Sequence, residues 1–392
     1  MSSPASSPSS APEVRVDRSG AEREDESLLA RVLTEPGTRI LAVRRDAAPM
    51  TAGRLALVDL PRLRRAASPT GTTSDVEVVP ARAEPLAAGT VASTDGASTD
   101  SASMDSASMD SASMDRASMD GASVERASTD GASTVSPAAD VEAQPSVGEC
   151  PAVPGVGHWA FLGRDDDRHA VVLAVLDDSA SDLLVPDAVW APLRAAGGEL
   201  PAGEADLLTT AVALAGWLRD APFCPACGSR TLTGHAGWSR HCPVCGREHF
   251  PRTDPAVIVL VTSAESDDRI LLGANAAWGG QRYSCFAGFA EAGESLEDAV
   301  AREVQEESGV RLRDIAYRGS QAWPYPRSLM LGFRARVVDD GDARADGHEI
   351  VEVRWFTRDE VGAALRGEAD VQLPGAASIA RRLIDDWYRG IA

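Results

Sequence analysis

Three glutamates, Glu303, Glu306 and Glu307, stand close together in the stretch GFAEAGESLEDAVAREVQEESGV, which covers residues 288–310. Spacings of three and four residues place all three carboxylates on one face of a helix. They also lie toward the end of that helix, where its dipole disfavours anions. A divalent cation such as Mg²⁺ or Mn²⁺ prefers carboxylate oxygens and would offset the repulsion among them. The pattern therefore predicts a site for a divalent metal ion.

The residues around these glutamates predict the helix that positions them. Ser295 can cap its start and form a capping box with Asp298, and Gly309 suits the position just after its last turn. An apolar stripe recurs every fourth residue, at Leu296, Val300 and Val304. A solvated acidic face is the ordinary alternative. It does not account for the glycine-rich turn before the helix or for Arg302 within it.

Four cysteines form a second set of metal ligands. They occur as two C-x-x-C pairs separated by fourteen residues, and a glycine follows each pair. The four are Cys224, Cys227, Cys242 and Cys245. Four thiolates fill the tetrahedral shell of zinc and leave no position for a substrate, so the pattern predicts structural zinc. A redox role is the alternative. The basic and aromatic residues between the pairs either complete this small module, which we favour, or bind nucleic acid.

The composition narrows the class of protein. All 38 basic residues are arginines, which excludes a Schiff-base lysine and a P-loop lysine. The net charge of -21 argues against a protein that coats nucleic acid through its phosphates. No apolar run has the length of a membrane span, and the first residues lack the apolar core of a signal peptide. With cysteines arranged for metal, this predicts a cytoplasmic protein without a membrane partner.

The chain divides into regions of different composition. Residues 1–25 are predicted to be disordered, and residues 26–220 to form a small α+β domain. A repeat of the form A-S-x-D-x interrupts that domain at about residues 76–150 and, lacking large apolar side chains, should stay disordered. The cysteine module covers residues 221–250 as a zinc ribbon, and residues 251–392 alternate strands and helices. The apolar segments before and after the repeat are expected to share one fold.

The glutamate stretch resembles the Nudix box, G-x5-E-x7-R-E-U-x-E-E-x-G-U, in which U is an aliphatic residue. Every defined position matches: Gly288, Glu294, Arg302, Glu303, Val304, Glu306, Glu307, Gly309 and Val310. The resemblance implies an α/β fold for residues 251–392, namely an α/β/α sandwich with a mixed sheet. It also implies hydrolysis of a nucleoside diphosphate that is linked to another group.

The same resemblance implies how the box residues share the chemistry. Two or three divalent ions, Mg²⁺ or Mn²⁺, would bridge Glu303, Glu307 and the pyrophosphate and would activate a water. Glu306 would be a further ligand or the base for that water. Arg302 would pair with a box glutamate and hold the cluster in place.

A second motif, SQAWPYPRSLM at residues 320–330, begins ten residues after the box. Together with the ribbon and the small N-terminal domain, it resembles the NADH pyrophosphatase branch of the Nudix hydrolases, whose marker is S-Q-P-W-P-F-P-x-S. Here Ala322 replaces the first proline and Tyr325 replaces the phenylalanine. Because prolines exclude helix, we expect an extended segment with Trp323 and Tyr325 on one side, available to stack on a base. A plain packing role is the alternative.

This closer resemblance implies further site residues. Substrate contacts fall on Phe250, Gln321, Ala322, Trp323, Pro324, Tyr325, Pro326, Arg327, Ser328, Ala380 and Arg194. Metal contacts outside the helix fall on the backbone carbonyl of Ala287 and on Glu349. Gly237 stands where some relatives carry a substrate-binding glutamate. The resemblance also implies a homodimer whose subunits share the active site.

The implied reaction is hydrolysis of NAD(H) to nicotinamide mononucleotide and AMP. The same chemistry would remove an NAD cap from the 5′ end of RNA, and the sequence does not rank NADH, NAD⁺ and NAD-capped RNA. Two alternatives stay open: a Nudix enzyme for ADP-ribose or another nucleoside diphosphate derivative, and a ribbon-based RNA-binding protein with an inactive Nudix domain. The complete box argues against the second alternative.

Overall fold

The structure is a computed structural model that describes residues 15–67, 150–178, 188–278, 281–341 and 343–391. The predicted insert lies almost wholly outside the described residues, and so does the first part of the predicted disordered N-terminus.

The prediction of disorder is wrong for residues 15–25. Strand β1 (Val16–Asp17) pairs with a later strand, and a 3₁₀ turn covers Gly20–Glu24. Glu22 forms an ion pair at 2.7 Å with Arg164, 142 positions away in the chain. Contacts of this kind are invisible to any local pattern, which explains the error.

The rest of the N-terminal region alternates strands and helices. Its elements are α1 (Leu28–Val32), β2 (Arg39–Val43), β3 (Ala47–Thr51), β4 (Arg54–Leu55), α2 (Leu60–Ala67), β5 (Val156–Asp165), β6 (Ala170–Leu176), β7 (Val189–Pro192), α3 (Leu193–Ala196) and α4 (Ala202–Asp220). One sheet has the order β1-β5-β6-β2 and a smaller one the order β4-β3-β7. Because β2 pairs in parallel with β6, the segments before and after residues 68–149 share one sheet.

Strand β6 forms the centre of this region. All of its residues are buried. Since successive side chains of a strand point to opposite faces, alternate residues of β6 pack toward α1 and α2 on one face and toward α4 on the other. The result is a small α+β unit with two apolar layers.

The cysteine module is a small three-stranded sheet that packs on this unit. Its strands are β8 (Leu232–Gly234), β9 (Ser239–His241) and β10 (Glu248–His249). The Trp238 indole N–H donates to the backbone oxygen of Phe161 at 2.7 Å. Buried Arg240 donates to the backbone oxygen of Leu218. Two members of the basic and aromatic group in the module therefore complete its packing.

The C-terminal region is an α/β/α sandwich, as predicted. Its elements are β11 (Asp254–Thr262), β12 (Arg269–Asn275), β13 (Phe286–Phe289), α5 (Leu296–Ser308), β14 (Leu312–Trp323), β15 (Ser328–Val337), β16 (Ile350–Thr357), α6 (Arg358–Leu365) and α7 (Ile379–Tyr388). The sheet order is β14-β15-β11-β12-β16, with β13 also paired to β11. β11 and β15 are parallel and the other pairs are antiparallel, so the sheet is mixed. Helix α5 covers one face, and α6 and α7 cover the other.

The aromatic motif is a hairpin and not the extended segment that its prolines predict. β14 ends at Trp323, β15 begins at Ser328, and the residues between them form the turn. The prolines do exclude helix, but a proline-rich run also suits a turn. Strand pairing between β14 and β15 decides between the two conformations.

None of the helices in the described part of the chain combines the length and the hydropathy of a membrane span.

Candidate active site

Helix α5, which carries the three glutamates, is bounded as the sequence predicts. The Ser295 hydroxyl oxygen accepts the Asp298 backbone N–H at 3.1 Å, and Gly309 takes the left-handed conformation with φ of 72°. Val300 and Val304 are fully buried. The Asp298 carboxylate accepts the Ser295 hydroxyl at 2.6 Å. The apolar stripe therefore fixes the rotation of α5 on the sheet and with it the direction of the glutamates.

Strand β13 is the wall against which two of these glutamates rest. A Cβ at Gly288 would lie 2.0 Å from the carboxyl carbon of Glu303. Only a glycine lets the carboxylate approach the strand so closely. One residue earlier, the Ala287 backbone N–H donates to the Glu307 carboxylate. The first glycine of the box is thus required by the position of Glu303.

Arg302 holds the box together. Its guanidinium forms a bidentate pair with Glu294 at 2.8 and 2.9 Å. It also donates to Glu303 at 2.9 Å and to Glu306 at 3.1 Å, and to the backbone oxygen of Phe289 at 2.9 Å. The guanidinium lowers the pKa of Glu294 to about 2. Because its donors are engaged by the box itself, Arg302 fits a positioning role.

Glu307 is the most strongly perturbed carboxyl of the cluster. It is 5% exposed, and its Oε2 atom is buried without a hydrogen-bond partner among the described residues. Burial, and then the nearby charges of Glu349, Glu303 and Asp346, raise the pKa of Glu307 to about 9. Burial also raises the pKa of Glu303 and of Glu349. Buried carboxylates need a counter-charge to ionise, so these residues fit a divalent cation that binds oxygen ligands.

Glu349 reaches the cluster from the loop before β16. Asp346 shapes that loop by accepting the backbone N–H groups of His348 at 3.1 Å, Glu349 at 3.3 Å and Ile350 at 2.9 Å. Burial opposes ionisation of Asp346, but these three bonds lower its pKa. Glu349 was predicted as a site residue and Asp346 was not. In the sequence, Asp346 could have been predicted from the Asp-Gly pair that it forms with Gly347, because such a pair is typical of a tight turn.

The four cysteine thiols converge as the ribbon pattern predicts. All four sulfur atoms lie within 4.8 Å of one another. Cys224 and Cys245 are 3.6 Å apart, and Cys227 and Cys242 are 3.5 Å apart. Thiolates around a tetrahedral zinc ion are separated by about 3.8 Å, given the usual zinc–sulfur distance. This donor set fits structural zinc.

Glycine and histidine complete the surroundings of the thiols. Gly228 and Gly246 have φ of 74° and 72°, a conformation that glycine adopts without strain. Each closes a turn in which its N–H bonds the backbone oxygen of the first cysteine of its pair. His249 Nε2 lies 3.3 Å from the sulfur of Cys224. The turns arise from the local sequence, which explains why spacing alone predicted them.

Two cavities flank the aromatic hairpin. The smaller, of about 500 Å³, lies between the C-terminal sheet and the N-terminal region. The larger, of about 900 Å³, lies among the N-terminal region, the ribbon and the hairpin turn. Trp323 lines the smaller cavity, Tyr325 the larger and Arg194 both. The two rings meet edge to face at 5.1 Å, and the Arg194 guanidinium lies 4.3 Å from the centre of the Tyr325 ring. These three side chains form the wall between the cavities.

The predicted substrate residues divide between the two cavities. The smaller cavity is lined by Gln321, Trp323, Ala380 and Arg194. The larger is lined by Phe250, Pro324, Tyr325, Pro326, Arg327 and Arg194. Of the described residues of the motif, Ala322 is exposed and Ser328 is buried, and neither lines a cavity.

Gln321 fixes the wall of the smaller cavity. Its amide N–H donates to the backbone oxygen of Ala377 at 2.7 Å, and its amide oxygen accepts the Ile379 N–H at 2.6 Å. These bonds tie the end of β14 to the start of α7. Gln321 thereby positions Trp323 and the α7 residues around the cavity.

The glutamates and the smaller cavity lie on opposite faces of the sheet. Val257 belongs to the apolar layer beneath α5, whereas Ile258 belongs to the layer beneath α7 and lines the cavity. Ala287 joins the two faces, because its side chain packs on the α7 side while its N–H holds Glu307. A ligand in the smaller cavity would pass β13 to reach the glutamates.

Other residues near the site were not predicted from the sequence. Phe289 follows Gly288 and is 38% exposed; an aromatic directly after the first box glycine is the signal for it. Trp278 and Arg282 line the smaller cavity. No local pattern reveals these two, because only the fold brings them to the cavity.

Gly237 does not lie where a substrate could touch a side chain. A Cβ there would come within 2.4 Å of the Ala160 Cβ and 2.8 Å of the Trp159 backbone oxygen. Its φ of 93° also favours glycine. The ribbon packs on β5 at this point, so the contact that some relatives make through a glutamate has no counterpart here.

Three family models match consecutive parts of the chain. Residues 252–375 match the NUDIX domain. Residues 219–250 match the NADH pyrophosphatase zinc ribbon domain. Residues 128–217 match the NADH pyrophosphatase-like rudimentary NUDIX domain.

Curated relatives match across these regions. The NAD-capped RNA hydrolase NudC of Mycobacterium tuberculosis H37Rv is 44% identical over 236 residues, which are 58% of this chain and 74% of that protein. The protein of the same name from Pseudomonas aeruginosa PAO1 is 38% identical over 231 residues, 59% of this chain and 75% of that protein. A crystal structure of a NUDIX hydrolase from Nitrosomonas europaea aligns with a TM-score of 0.32 at 23% identity, covering 43% of this chain and 93% of that one.

Proposed function

We propose that this chain, which belongs to the NADH pyrophosphatase branch of the Nudix hydrolases, hydrolyses the pyrophosphate of NAD(H) to nicotinamide mononucleotide and AMP. The observation that carries this proposal is the buried Glu307 with its raised pKa and unbonded oxygen, beside Glu303 and Glu349. Hydrolysis of the same pyrophosphate bond in NAD-capped RNA releases nicotinamide mononucleotide and leaves an RNA with a 5′-monophosphate. The names of the relatives from Mycobacterium and Pseudomonas support this second substrate.

Glu303, Glu307, Glu349 and the Ala287 carbonyl are the groups that would hold divalent ions, Mg²⁺ or Mn²⁺. Such ions supply positive charge to the pyrophosphate oxygens and lower the pKa of a bound water. Arg302 keeps Glu303 in place and balances part of the cluster's negative charge.

Glu306 is the residue that we assign as the base for the attacking water. Its side chain is 60% exposed, against 15% for Glu303, so water and substrate reach it most easily. Its one described partner is Arg302 at 3.1 Å, which holds the carboxylate beside the cluster and leaves the other oxygen available. A carboxylate in this position can accept a proton from the water as it attacks phosphorus.

The residues that line the smaller cavity would determine which pyrophosphate compounds bind with their pyrophosphate near the glutamates. Trp323 offers an aromatic wall on which a base can stack, and the backbone bonds of Gln321 hold that wall in place. Ala287 lies between the cavity and Glu307, so a dinucleotide that passes this residue places its pyrophosphate near the glutamates.

We further infer a homodimer and a cytoplasmic location. Membership of this branch supports the dimer, and the exposed Phe250, at 61%, is accessible to a neighbouring subunit. Four thiols that bind metal instead of pairing as disulfides support a reducing compartment.

A competition assay tests the substrate assignment. Purified protein receives NADH, NAD⁺, ADP-ribose and NAD-capped RNA together, with Mg²⁺ or Mn²⁺, and initial rates are compared by mass spectrometry. We expect NADH, NAD⁺ or NAD-capped RNA to be cut faster than ADP-ribose, with nicotinamide mononucleotide as a product. A clear preference for ADP-ribose would overturn the assignment. Activity that survives both Glu306→Gln and Glu307→Gln would overturn the metal mechanism.

A further inference from the structure

Glu349 is held in the glutamate cluster differently from Glu303 and Glu307. Those two residues stand on α5, whose apolar stripe is buried, whereas residues 346–349 form a loop that is exposed throughout. Besides burial, the negative charge of Glu349 contributes to the raised pKa of Glu303 and of Glu307, so its carboxylate lies close to theirs. Because an exposed loop has little packing to hold it, its position depends on hydrogen bonds.

The backbone at Glu349 and just after it is attached to the sheet. The Ala276 backbone N–H donates to the Glu349 backbone oxygen at 2.9 Å. Ile350 is only 6% exposed and pairs with Asn275 at the end of β12. These contacts fix one side of Glu349. The turn that precedes it has to be fixed by other bonds.

The carboxylate of Asp346 supplies those bonds. Its Oδ1 atom accepts the backbone N–H groups of His348 at 3.1 Å and of Ile350 at 2.9 Å, and its Oδ2 atom accepts the Glu349 N–H at 3.3 Å. Gly347 has a φ of 77°, and its N–H donates to the Ile350 backbone oxygen at 3.0 Å. Successive N–H groups that converge on one anion form a stable nest. Asp346 therefore closes the turn on both sides of Glu349.

We propose that Asp346 is a positioning residue for the divalent-ion site, which acts by holding Glu349 against Glu303 and Glu307. Asp346 itself binds neither the ion nor the substrate, because its oxygens are used by the backbone of its own loop. The inference rests on the proposed function, since it assigns a support to one of the ligands named there. Partners that orient a metal ligand typically change metal affinity by about 10–100-fold when they are removed.

The test compares two substitutions of Asp346 with a matched control. Asp346→Ala removes all three bonds, whereas Asp346→Asn keeps an acceptor oxygen at Oδ1. The control is Asp339→Asn, because Asp339 is also an exposed acid whose Oδ1 accepts a nearby backbone N–H, that of Gly341 at 2.7 Å. Mn²⁺ affinity of each zinc-loaded protein is measured by electron paramagnetic resonance without substrate. Zinc content and thermal unfolding report whether the fold is intact.

We expect Asp346→Ala to weaken Mn²⁺ binding by about 10–100-fold, with zinc content and unfolding temperature unchanged. Asp346→Asn should lose only the long bond to the Glu349 N–H and should bind Mn²⁺ within about threefold of wild type. Asp339→Asn should match wild type. In a Glu349→Gln background, Asp346→Ala should cause no further loss, because two residues that act as one unit are not additive.

Three results would overturn the inference. The first is a wild-type Mn²⁺ affinity in Asp346→Ala. The second is an equal loss in Asp346→Asn and Asp346→Ala, which would mean that the charge of Asp346 matters and the bonds do not. The third is a full further loss in the Glu349→Gln background, which would mean that Asp346 does not act through Glu349. Since the titration uses no NADH, a failure of NAD(H) hydrolysis would overturn the proposed function while the Mn²⁺ affinities still decide the role of Asp346.

Discussion

The cysteine cluster and the glutamate cluster gather metal ligands by different means. The four thiols come from two short turns closed by Gly228 and Gly246, and their sulfur atoms lie within 4.8 Å of one another. Glu303 and Glu307 come from α5, and Glu349 comes from a distant loop. Within the described residues, these carboxylate oxygens are not gathered as tightly as the thiols.

The neighbours of the ligands differ as well. All four zinc positions are taken by cysteine, so the protein completes that site itself. In the other cluster Glu303 bonds Arg302, Glu307 keeps an unbonded oxygen, and Glu306 is exposed. A site that the protein completes stabilises the fold, whereas a site that it leaves incomplete has room for water and substrate. The difference between the clusters supports the proposal that the cysteine cluster is structural and the glutamate cluster is catalytic.

The largest effect should follow from breaking the cysteine cluster. Cys242 is fully buried, so Cys242→Ser removes a zinc ligand that nothing can replace. We expect loss of bound zinc and a drop in unfolding free energy on the order of several kcal/mol, measured by thermal unfolding and native mass spectrometry. Cys150→Ser, at a cysteine outside the cluster, should keep its zinc. Full zinc content in Cys242→Ser would contradict the structural assignment.

Glu307→Gln should do the opposite, removing activity and sparing the fold. We expect kcat to fall by about 10²–10³-fold, as when a catalytic electrostatic group is removed. Unfolding of the metal-free protein should not occur at lower temperature, because the amide needs no counter-charge in the buried position. Glu297→Gln, at an exposed acid of the same helix, is the control and should be fully active. A Glu307→Gln protein that keeps its activity, or that unfolds at a lower temperature than wild type, would contradict the proposed difference between the two clusters.

Gly288→Ala tests the close approach of Glu303 to β13. The new Cβ would clash with the Glu303 carboxylate, which must move away from the cluster. We expect about a 10²-fold loss of kcat, of the size seen when one positioned group is displaced. The zinc content should be unchanged. Gly20→Ala, where a Cβ meets nothing within 4 Å, serves as the control, and equal kcat in both variants would contradict the argument.

Trp323→Ala should affect neither metal cluster. If the indole stacks on a base, kcat/KM for NADH should fall by a factor that corresponds to about 1–3 kcal/mol. Divalent-ion affinity, measured by titration calorimetry, should match wild type. Trp323→Phe should recover most of the loss. Unchanged kinetics in Trp323→Ala would mean that this residue only packs the hairpin.

The smallest effect is expected for a change of a single pH unit. The pKa of Glu307 is raised to about 9 from its ordinary value near 4.5, so without a divalent cation the folded protein binds more protons than the unfolded chain between these values. Stability of the metal-free protein should therefore fall as pH rises from about 5 to 9, and added Mg²⁺ should oppose the fall. Mg²⁺ affinity should rise with pH, by at most about tenfold per unit for each proton released. Glu307→Gln should flatten both trends, and a stability that rises over this pH range would contradict the assignment.

Short-range patterns in the sequence predicted the four thiols and the glutamates of α5 as metal ligands, whereas Glu349 was predicted through the family resemblance. The C-x-x-C-G turns need only the residues that they contain, and α5 follows from its cap at Ser295, its apolar stripe and Gly309. The mixed-sheet sandwich was also predicted, through the resemblance of the box. The prolines of the aromatic motif, by contrast, are compatible with a strand or with a turn, and the extended conformation was the wrong choice.

Tertiary structure decided the properties that depend on distant neighbours. Burial of Glu307 next to Glu349 raises its pKa, and the approach of Glu303 to Gly288 makes that glycine necessary. The wall of Trp323, Tyr325 and Arg194 assembles only when the N-terminal region packs on the hairpin. The sequence by itself determined the four thiols and the run of glutamates in α5 as candidate metal ligands, because ligand chemistry and local turns are properties of short segments. Which carboxyls are buried and which cavity each ring faces depend on contacts between segments far apart in the chain, and only the folded structure contains those.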